Sequence, residues 1–82
     1  MKNYLIVIEY GTDNCSAFSP DVPGCVATGK NVEDTLINMK SALLFHLEGL
    51  DDTPEPLGLL HHLNAGEFDP DKIEEKYFIT HV

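Results

Sequence analysis

The sequence contains few basic residues and no tryptophan, and the shortage of positive charge restricts the functions it could serve. Only 5 lysines and arginines stand against 14 aspartates and glutamates, which gives a formal net charge of −9 at neutral pH. Proteins that bind nucleic acid use Lys and Arg to replace the counterions of phosphates, and anionic membranes attract clusters of the same residues. The composition therefore argues against direct contact with nucleic acid or a membrane, and it favours solubility or a basic partner.

The chain also lacks a long apolar run and is poor in cysteine. Its opening stretch, MKNYLIVIEY, is far shorter than the roughly 20 apolar residues of a membrane span and does not have the pattern of a signal peptide. The two cysteines are Cys15 and Cys25, and thiols stay reduced in the cytosol. We therefore expect a cytoplasmic protein with buried, inert cysteines rather than a cysteine nucleophile.

The residue patterns of common catalytic and cofactor sites are missing as well. Neither a GxGxxG nor a GxxxxGK loop occurs, so no phosphate-binding loop is indicated. The histidines and cysteines show no CxxC or HxxxH spacing, and the adjacent His61 and His62 would not share one face of a helix. The acids fall at turns and helix ends, whereas a metal-dependent nuclease needs them to converge. We expect no catalytic residue, no metal site and no cofactor.

What the sequence does contain is a series of short strands and one long helix. Stretches rich in β-branched and aromatic residues predict strands at 4–10, 15–19 and 25–28, joined by turns into an antiparallel meander. Apolar residues at spacings of three and four predict a helix over 31–50 with Asn31 as its N-cap. The core face of that helix comprises Val32, Leu36, Met39, Leu43, Leu47 and Leu50. A final strand is predicted at 76–82, so the order is βββαβ and the fold class α+β.

The connection between the second and third strands, PDVPG, is predicted to be a rigid turn. Its prolines restrict φ, Asp21 can accept hydrogen bonds from backbone amides, and Gly24 allows a positive φ. A register with Ser19 opposite Cys25 separates the two cysteines by more than a disulfide can span. The same register places four small side chains on one face, where a helix could approach closely: Cys15, Ala17, Cys25 and Ala27.

The stretch FSPDVPGCVATGKNVEDTLINMKSALLFHLEGL resembles the N-terminal domain of HicB-type antitoxins. The shared pattern is an aromatic residue, S-P-D, a hydrophobic residue and P-G-C, then T-G and a helix that finishes near H-L-E-G-L. The resemblance implies a partial ribonuclease-H-like sandwich without catalytic acids, which forms a homodimer or a higher oligomer. It also implies neutralisation of a HicA-type toxin, a small basic protein of double-stranded-RNA-binding-like fold that cleaves mRNA with a histidine. An acidic antitoxin suits such a partner.

The sequence departs from the family pattern in its lack of a DNA-binding domain. Members often carry a C-terminal helix-turn-helix or ribbon-helix-helix domain, whereas this sequence ends at Val82 without a basic recognition helix. We therefore expect a short, stand-alone member, with a single HicB-like domain over 1–82 and no separate DNA-binding domain. Residues 57–71 match no motif of the family, and they could form an insertion, an oligomer contact or a plain loop. Residues 57–63 could form a short helix, although Gly58 has a low helix propensity.

The candidate partner-binding residues are Phe45, Asp51, Asp52 and Asp21. Phe45 projects from the side of the helix opposite its apolar stripe. It is either an ordinary exposed residue or a contact for a partner or a second subunit. The two adjacent aspartates follow the helix, and Asp21 in the turn is a weaker candidate. Two alternatives to the antitoxin function stay open: an orphan HicB-like homo-oligomer with a structural or regulatory role and no toxin partner, and, ranked last, an altered nuclease.

Overall fold

The computed structural model describes residues 3–67, 69, 71 and 76–82. Its elements, in chain order, are β1 (Leu5–Tyr10), β2 (Cys15–Phe18), β3 (Val26–Gly29), α1 (Val32–Glu48), α2 (Leu59–Asn64) and β4 (Tyr77–His81). The strands form one antiparallel sheet in the order β3-β2-β1-β4. The predicted α+β class and the βββαβ order are confirmed, with α2 as the short helix before the last strand. The likeness to ribonuclease H stays a prediction.

Strand β1 is apolar on both faces because both faces of the sheet are covered. Ile6 and Ile8 are fully buried in the cluster that includes Met39 and Leu43 of α1. On the other face, two fully buried β1 residues lie under α2 and parts of β2 and β4. That second cluster consists of Leu5 and Val7, with Phe18, Leu59, Leu63, Tyr77 and Ile79 packed against them. The sheet therefore lies between a long helix and a short one.

The predicted register between β2 and β3 is confirmed, with Cys15 opposite Gly29 and Phe18 opposite Val26. Small residues on the α1 side let the helix approach the sheet closely. A Cβ placed on Gly29 would lie only 2.6 Å from the backbone nitrogen of Thr35 in α1. The cysteines are buried and free, and desolvation raises the pKa of the Cys25 thiol.

Helix α1 begins as predicted, after Asn31, whose side-chain oxygen accepts a hydrogen bond from the Asp34 N–H at 2.8 Å. It ends at Glu48 rather than at residue 50, because the next two amides donate to carbonyls three residues back and tighten the chain into a turn. Leu50 consequently lies beyond the helix and is 39% exposed instead of belonging to the core face. No helix in the described part of the chain has the length and apolar character needed to cross a bilayer.

Candidate functional site

After β2, the side chains of a Ser-Pro-Asp sequence make the hydrogen bonds to β1 that backbone groups make within the sheet. The pairing of β1 with β2 ends where Val7 lies opposite Phe18. The same register continued by two residues would place Leu5 opposite Pro20. Proline has no N–H to donate, and the flanking side chains take over both bonds. The Ser19 hydroxyl donates to the Leu5 carbonyl oxygen at 2.8 Å, and the Leu5 N–H donates to Asp21 Oδ2 at 2.8 Å. The turn predicted from the sequence is thus attached to β1 through side chains.

The Asp21 carboxylate joins three parts of the chain that are distant in sequence. Besides the bond from Leu5, its Oδ1 atom accepts the Leu57 N–H at 2.9 Å and lies 2.6 Å from His62 Nε2. The Asp21 side chain has no exposed area. Burial alone would raise its pKa, yet the bonds from the two backbone amides and from His62 hold that pKa below its usual range. Asp21 therefore connects β1, the segment after α1, and α2 through hydrogen bonds to a single side chain.

His62 lies between two carboxylates, and we call Asp21, His62 and Glu67 the buried charge cluster, in which Asp21 and His62 are buried and the Glu67 side chain is 37% exposed. The second ring nitrogen, Nδ1, contacts the Glu67 carboxylate, and the ring is only 3% exposed. A neutral imidazole carries one N–H, so both contacts are hydrogen bonds only when the ring is an imidazolium. Burial lowers the pKa of His62, but the hydrogen bonds and charges of the two carboxylates outweigh it and raise that pKa above its ordinary value.

The buried charge cluster is arranged as an internal ion-pair network. The two nitrogens of the His62 ring point in different directions, so its two carboxylate partners do not converge on one point. Among residues 3–67 and the other described positions, no group of three or more His, Cys, Asp or Glu side chains is placed to hold a metal ion. The cluster connects segments of the chain that are distant in sequence.

The exposed end of α1 forms a separate region, which we call the helix-end surface: Phe45, Glu48, Asp51 and Asp52. The Phe45 side chain is 81% exposed, the largest value for a large apolar residue in the described part of the chain. The three acids are exposed as well. Asp51 follows the last residue of α1 by three positions, which limits its Cα to about 11 Å from that of Glu48. One aromatic ring and three carboxylates therefore share one end of the molecule.

The acids of the helix-end surface are in an unfavourable electrostatic position. The C-terminal end of a helix carries partial negative charge, which repels nearby carboxylates, and Asp51 and Asp52 are adjacent like charges. The loop that carries them is held in place, because the hydroxyl of buried Tyr4 donates to the Pro54 carbonyl oxygen at 2.7 Å. The surface thus carries negative charge that a basic partner would compensate.

The candidate residues from the sequence divide between these two regions. Phe45, Asp51 and Asp52 are exposed in the last turns of α1 and just after it, while Asp21 is buried at a different place and already accepts hydrogen bonds from within the chain. Sequence reasoning missed the role of His62, which it considered only as a metal ligand. The available signal was its position between Leu59 and Leu63, three and one residues away, on the apolar face of a short helix.

Comparison with known proteins gives a family and one relative. Residues 4–77 match the family model described as "HicB_like antitoxin of bacterial toxin-antitoxin system". The "Uncharacterized 14.9 kDa protein in rep-hol intergenic region" of Haemophilus phage HP1 (strain HP1c1) is 39% identical over 69 residues, which cover 79% of this chain and 52% of the relative. The chain thus spans about half the length of that curated relative. No solved structure matches the chain significantly.

Proposed function

Because this chain belongs to the HicB_like antitoxin family of bacterial toxin–antitoxin systems, we propose that it neutralises a HicA-type toxin by direct protein–protein contact. It acts in the cytoplasm as a binding protein rather than an enzyme, and it requires no cofactor. The observation that carries the contact proposal is the helix-end surface, where an 81% exposed Phe45 lies beside exposed acids at a helix C-terminus.

The chemistry of this surface fits a basic RNA-binding toxin. A protein that cleaves mRNA holds phosphates with Lys and Arg, and a surface of carboxylates competes for the same side chains. The charges of Asp51 and Asp52 would guide the encounter and set its salt dependence. Phe45 would supply the apolar anchor, since aromatic residues dominate the binding energy of many interfaces. Asp21 serves this surface indirectly, by fixing the chain at Leu57 through a 2.9 Å hydrogen bond.

Co-purification tests the proposal. The chain is expressed with the product of the adjacent reading frame, only the neighbour carries a tag, and the eluate is analysed by size exclusion with light scattering. We expect a stable complex with a small basic protein that is toxic when expressed alone. A neighbour that neither binds nor inhibits growth would contradict the proposal.

A second candidate is a homo-oligomer with no toxin partner, with a structural or regulatory role. The observation that favours it is a further pair of exposed apolar side chains on α1, Ile37 at 57% and Leu44 at 52%. A self-interface on the outer face of α1 would cover them together with Phe45. The same light-scattering run distinguishes the two functions, because this candidate gives a defined oligomer of this chain alone.

A further inference from the structure

We propose that the buried charge cluster is a proton-operated latch, in which loss of one proton from His62 releases residues 57–67 from the sheet. We call residues 57–67 the arm. This inference goes beyond toxin binding and does not depend on it. It rests on how the arm is attached and on which groups face the His62 ring.

Two polar groups of the arm bind the same carboxylate oxygen. Within the part of the chain that the structure describes, the Leu57 N–H and the His62 ring both bind Asp21 Oδ1, at 2.9 and 2.6 Å. The apolar attachment of the arm consists of Leu59 and Leu63, which pack over the β1 side chains on that face of the sheet. The polar attachments therefore converge on one buried carboxylate.

Helix α2 depends on these attachments because it is weak by itself. It has 6 residues, whereas an isolated helix shorter than about 12 residues is marginal in water. Its N-cap is Gly58, which has no side chain to accept a bond from the first amides. Leu60 is 71% exposed and adds little buried apolar surface. When the contacts to the sheet weaken, the arm has little local structure of its own to preserve.

The contacts of the His62 ring require two protons. Nε2 lies 2.6 Å from Asp21 Oδ1, and Nδ1 contacts the Glu67 carboxylate. If the ring loses a proton, one nitrogen lone pair faces a carboxylate oxygen inside a site where the ring is 3% exposed. The buried carboxylate of Asp21 also loses the positive charge beside it, and an unpaired charge in a buried site is strongly unfavourable. The closed arm is therefore favoured by the protonated ring.

The charged and titratable groups around the ring come from several elements. Asp21 reaches it from the turn between β2 and β3, and Glu67 from the chain after α2. The neighbouring His61 ring meets it edge-on, with 5.2 Å between ring centroids. From the sheet, β1 contributes apolar side chains, and Tyr77 of β4 packs in the same apolar cluster. Both carboxylates favour the imidazolium, while a protonated His61 would oppose it.

The direction of the pH response follows from the raised pKa of His62. The contribution of the latch is complete below the ordinary histidine value of 6.5 and is lost as the pH rises through the raised value of the closed state. Each unit between the closed-state and open-state pKa multiplies the opening constant of the arm about tenfold. Opening is therefore expected on the alkaline side.

Solution NMR on the full chain tests the latch. The four histidines are titrated through their ring nitrogens from pH 5 to 10, and amide exchange in α2 is followed over the same range, corrected for its intrinsic pH dependence. We expect His62 to titrate above the ordinary histidine value of 6.5. Exchange protection in α2 should fall with the same midpoint, while protection in β1 stays constant. Titration of His62 at or below 6.5, or protection in α2 that is unchanged through the His62 titration, would overturn the proposal.

Three variants separate the latch from general stability. His62→Gln should leave the arm open, without the pH response, and His61→Gln should behave as the wild-type chain. Glu67→Gln removes one of the two negative charges beside the His62 ring. Because Glu67 is partly exposed, this variant should fold even if His62→Gln does not, and the latch can then still be tested. The Glu67→Gln change should lower the pH at which His62 titrates and at which the arm opens. A wild-type response in both His62→Gln and Glu67→Gln would refute the latch.

Discussion

Two regions of the molecule use aspartate in opposite ways. In the turn after β2, the Asp21 side chain is completely buried and accepts hydrogen bonds from Leu5, Leu57 and His62. At the end of α1, Asp51 and Asp52 are exposed beside a helix terminus that repels them. A buried carboxylate is tolerated only when donors surround it. The neighbouring donors, and not the residue type, therefore decide whether an acid stabilises the fold or is available to a partner.

Replacing the buried acid should have the largest effect on stability. Asp21→Asn keeps the size of the side chain but turns one acceptor into a donor that faces another donor, and it removes the counter-charge of His62. Breaking a buried pair in this way costs about 3–5 kcal/mol, a large fraction of the ~5–15 kcal/mol that stabilises a typical domain. Urea denaturation followed by circular dichroism measures the loss.

The matched control for that variant is Asp51→Asn, for which we expect a change within about 0.5 kcal/mol. Equal losses in the two variants would remove the distinction between the two regions.

A smaller loss is expected at the other end of the Ser-Pro-Asp sequence. Ser19→Ala leaves the Leu5 carbonyl without the hydroxyl that donates to it at 2.8 Å, and an unsatisfied buried acceptor costs about 1–3 kcal/mol. Ser16→Ala, at an exposed position of β2, is the control and should change the free energy of unfolding by less than about 0.5 kcal/mol. Denaturation curves that coincide for the two variants would show that the Ser19 hydroxyl is not needed.

The buried region should also give the pH profile of stability. His62 has a raised pKa, so its contribution is complete below 6.5 and is lost as the pH rises through the raised value. Asp21 has a lowered pKa, so its contribution is complete above 3.8 and is lost as the pH falls through the lowered value. Both contributions are therefore present between these two pH values.

The measurement is the difference in unfolding free energy between the wild-type chain and His62→Gln, determined from pH 3 to 9. This difference should be largest within that window and should shrink on both sides. A difference that does not change with pH would contradict the assignment of the charges.

The smallest stability change should have the opposite sign. Neutralising both exposed acids, Asp51→Asn with Asp52→Asn, removes like charges from the negative end of α1 and should stabilise the chain by about 0.3–1 kcal/mol. Thermal unfolding at low salt measures this gain, which added salt should reduce. A loss of stability would mean that these acids support the fold, as Asp21 does.

The sequence predicted local features well. Alternation and turn residues indicated the strands, and the small residues around SPDVPG indicated the β2–β3 register that the structure confirms. The spacing of apolar residues indicated the buried face of α1 and the exposed position of Phe45. Each of these features depends on residues close together in the chain, where spacing alone reveals which side chains share a face.

The internal role of Asp21 could not be predicted in the same way. The residue was expected to accept bonds from nearby backbone amides, but its amide donors are 16 and 36 residues away, and its histidine partner is 41 residues away. No periodicity connects positions so distant, and Leu57 and His62 reach the turn only because the arm folds back onto the sheet. The roles of Phe45, Asp51 and Asp52 in partner binding stay predictions.

The central claim is that the helix-end surface binds a basic toxin. Its most direct test is a calorimetric titration of the co-purified partner, inactivated at its catalytic histidine, with the wild-type chain, Phe45→Ala and the exposed control Leu60→Ala. We expect Phe45→Ala to weaken binding about 30-fold, which corresponds to an interface anchor worth about 2 kcal/mol, while Leu60→Ala binds as the wild-type chain does. Wild-type affinity in Phe45→Ala would contradict the claim.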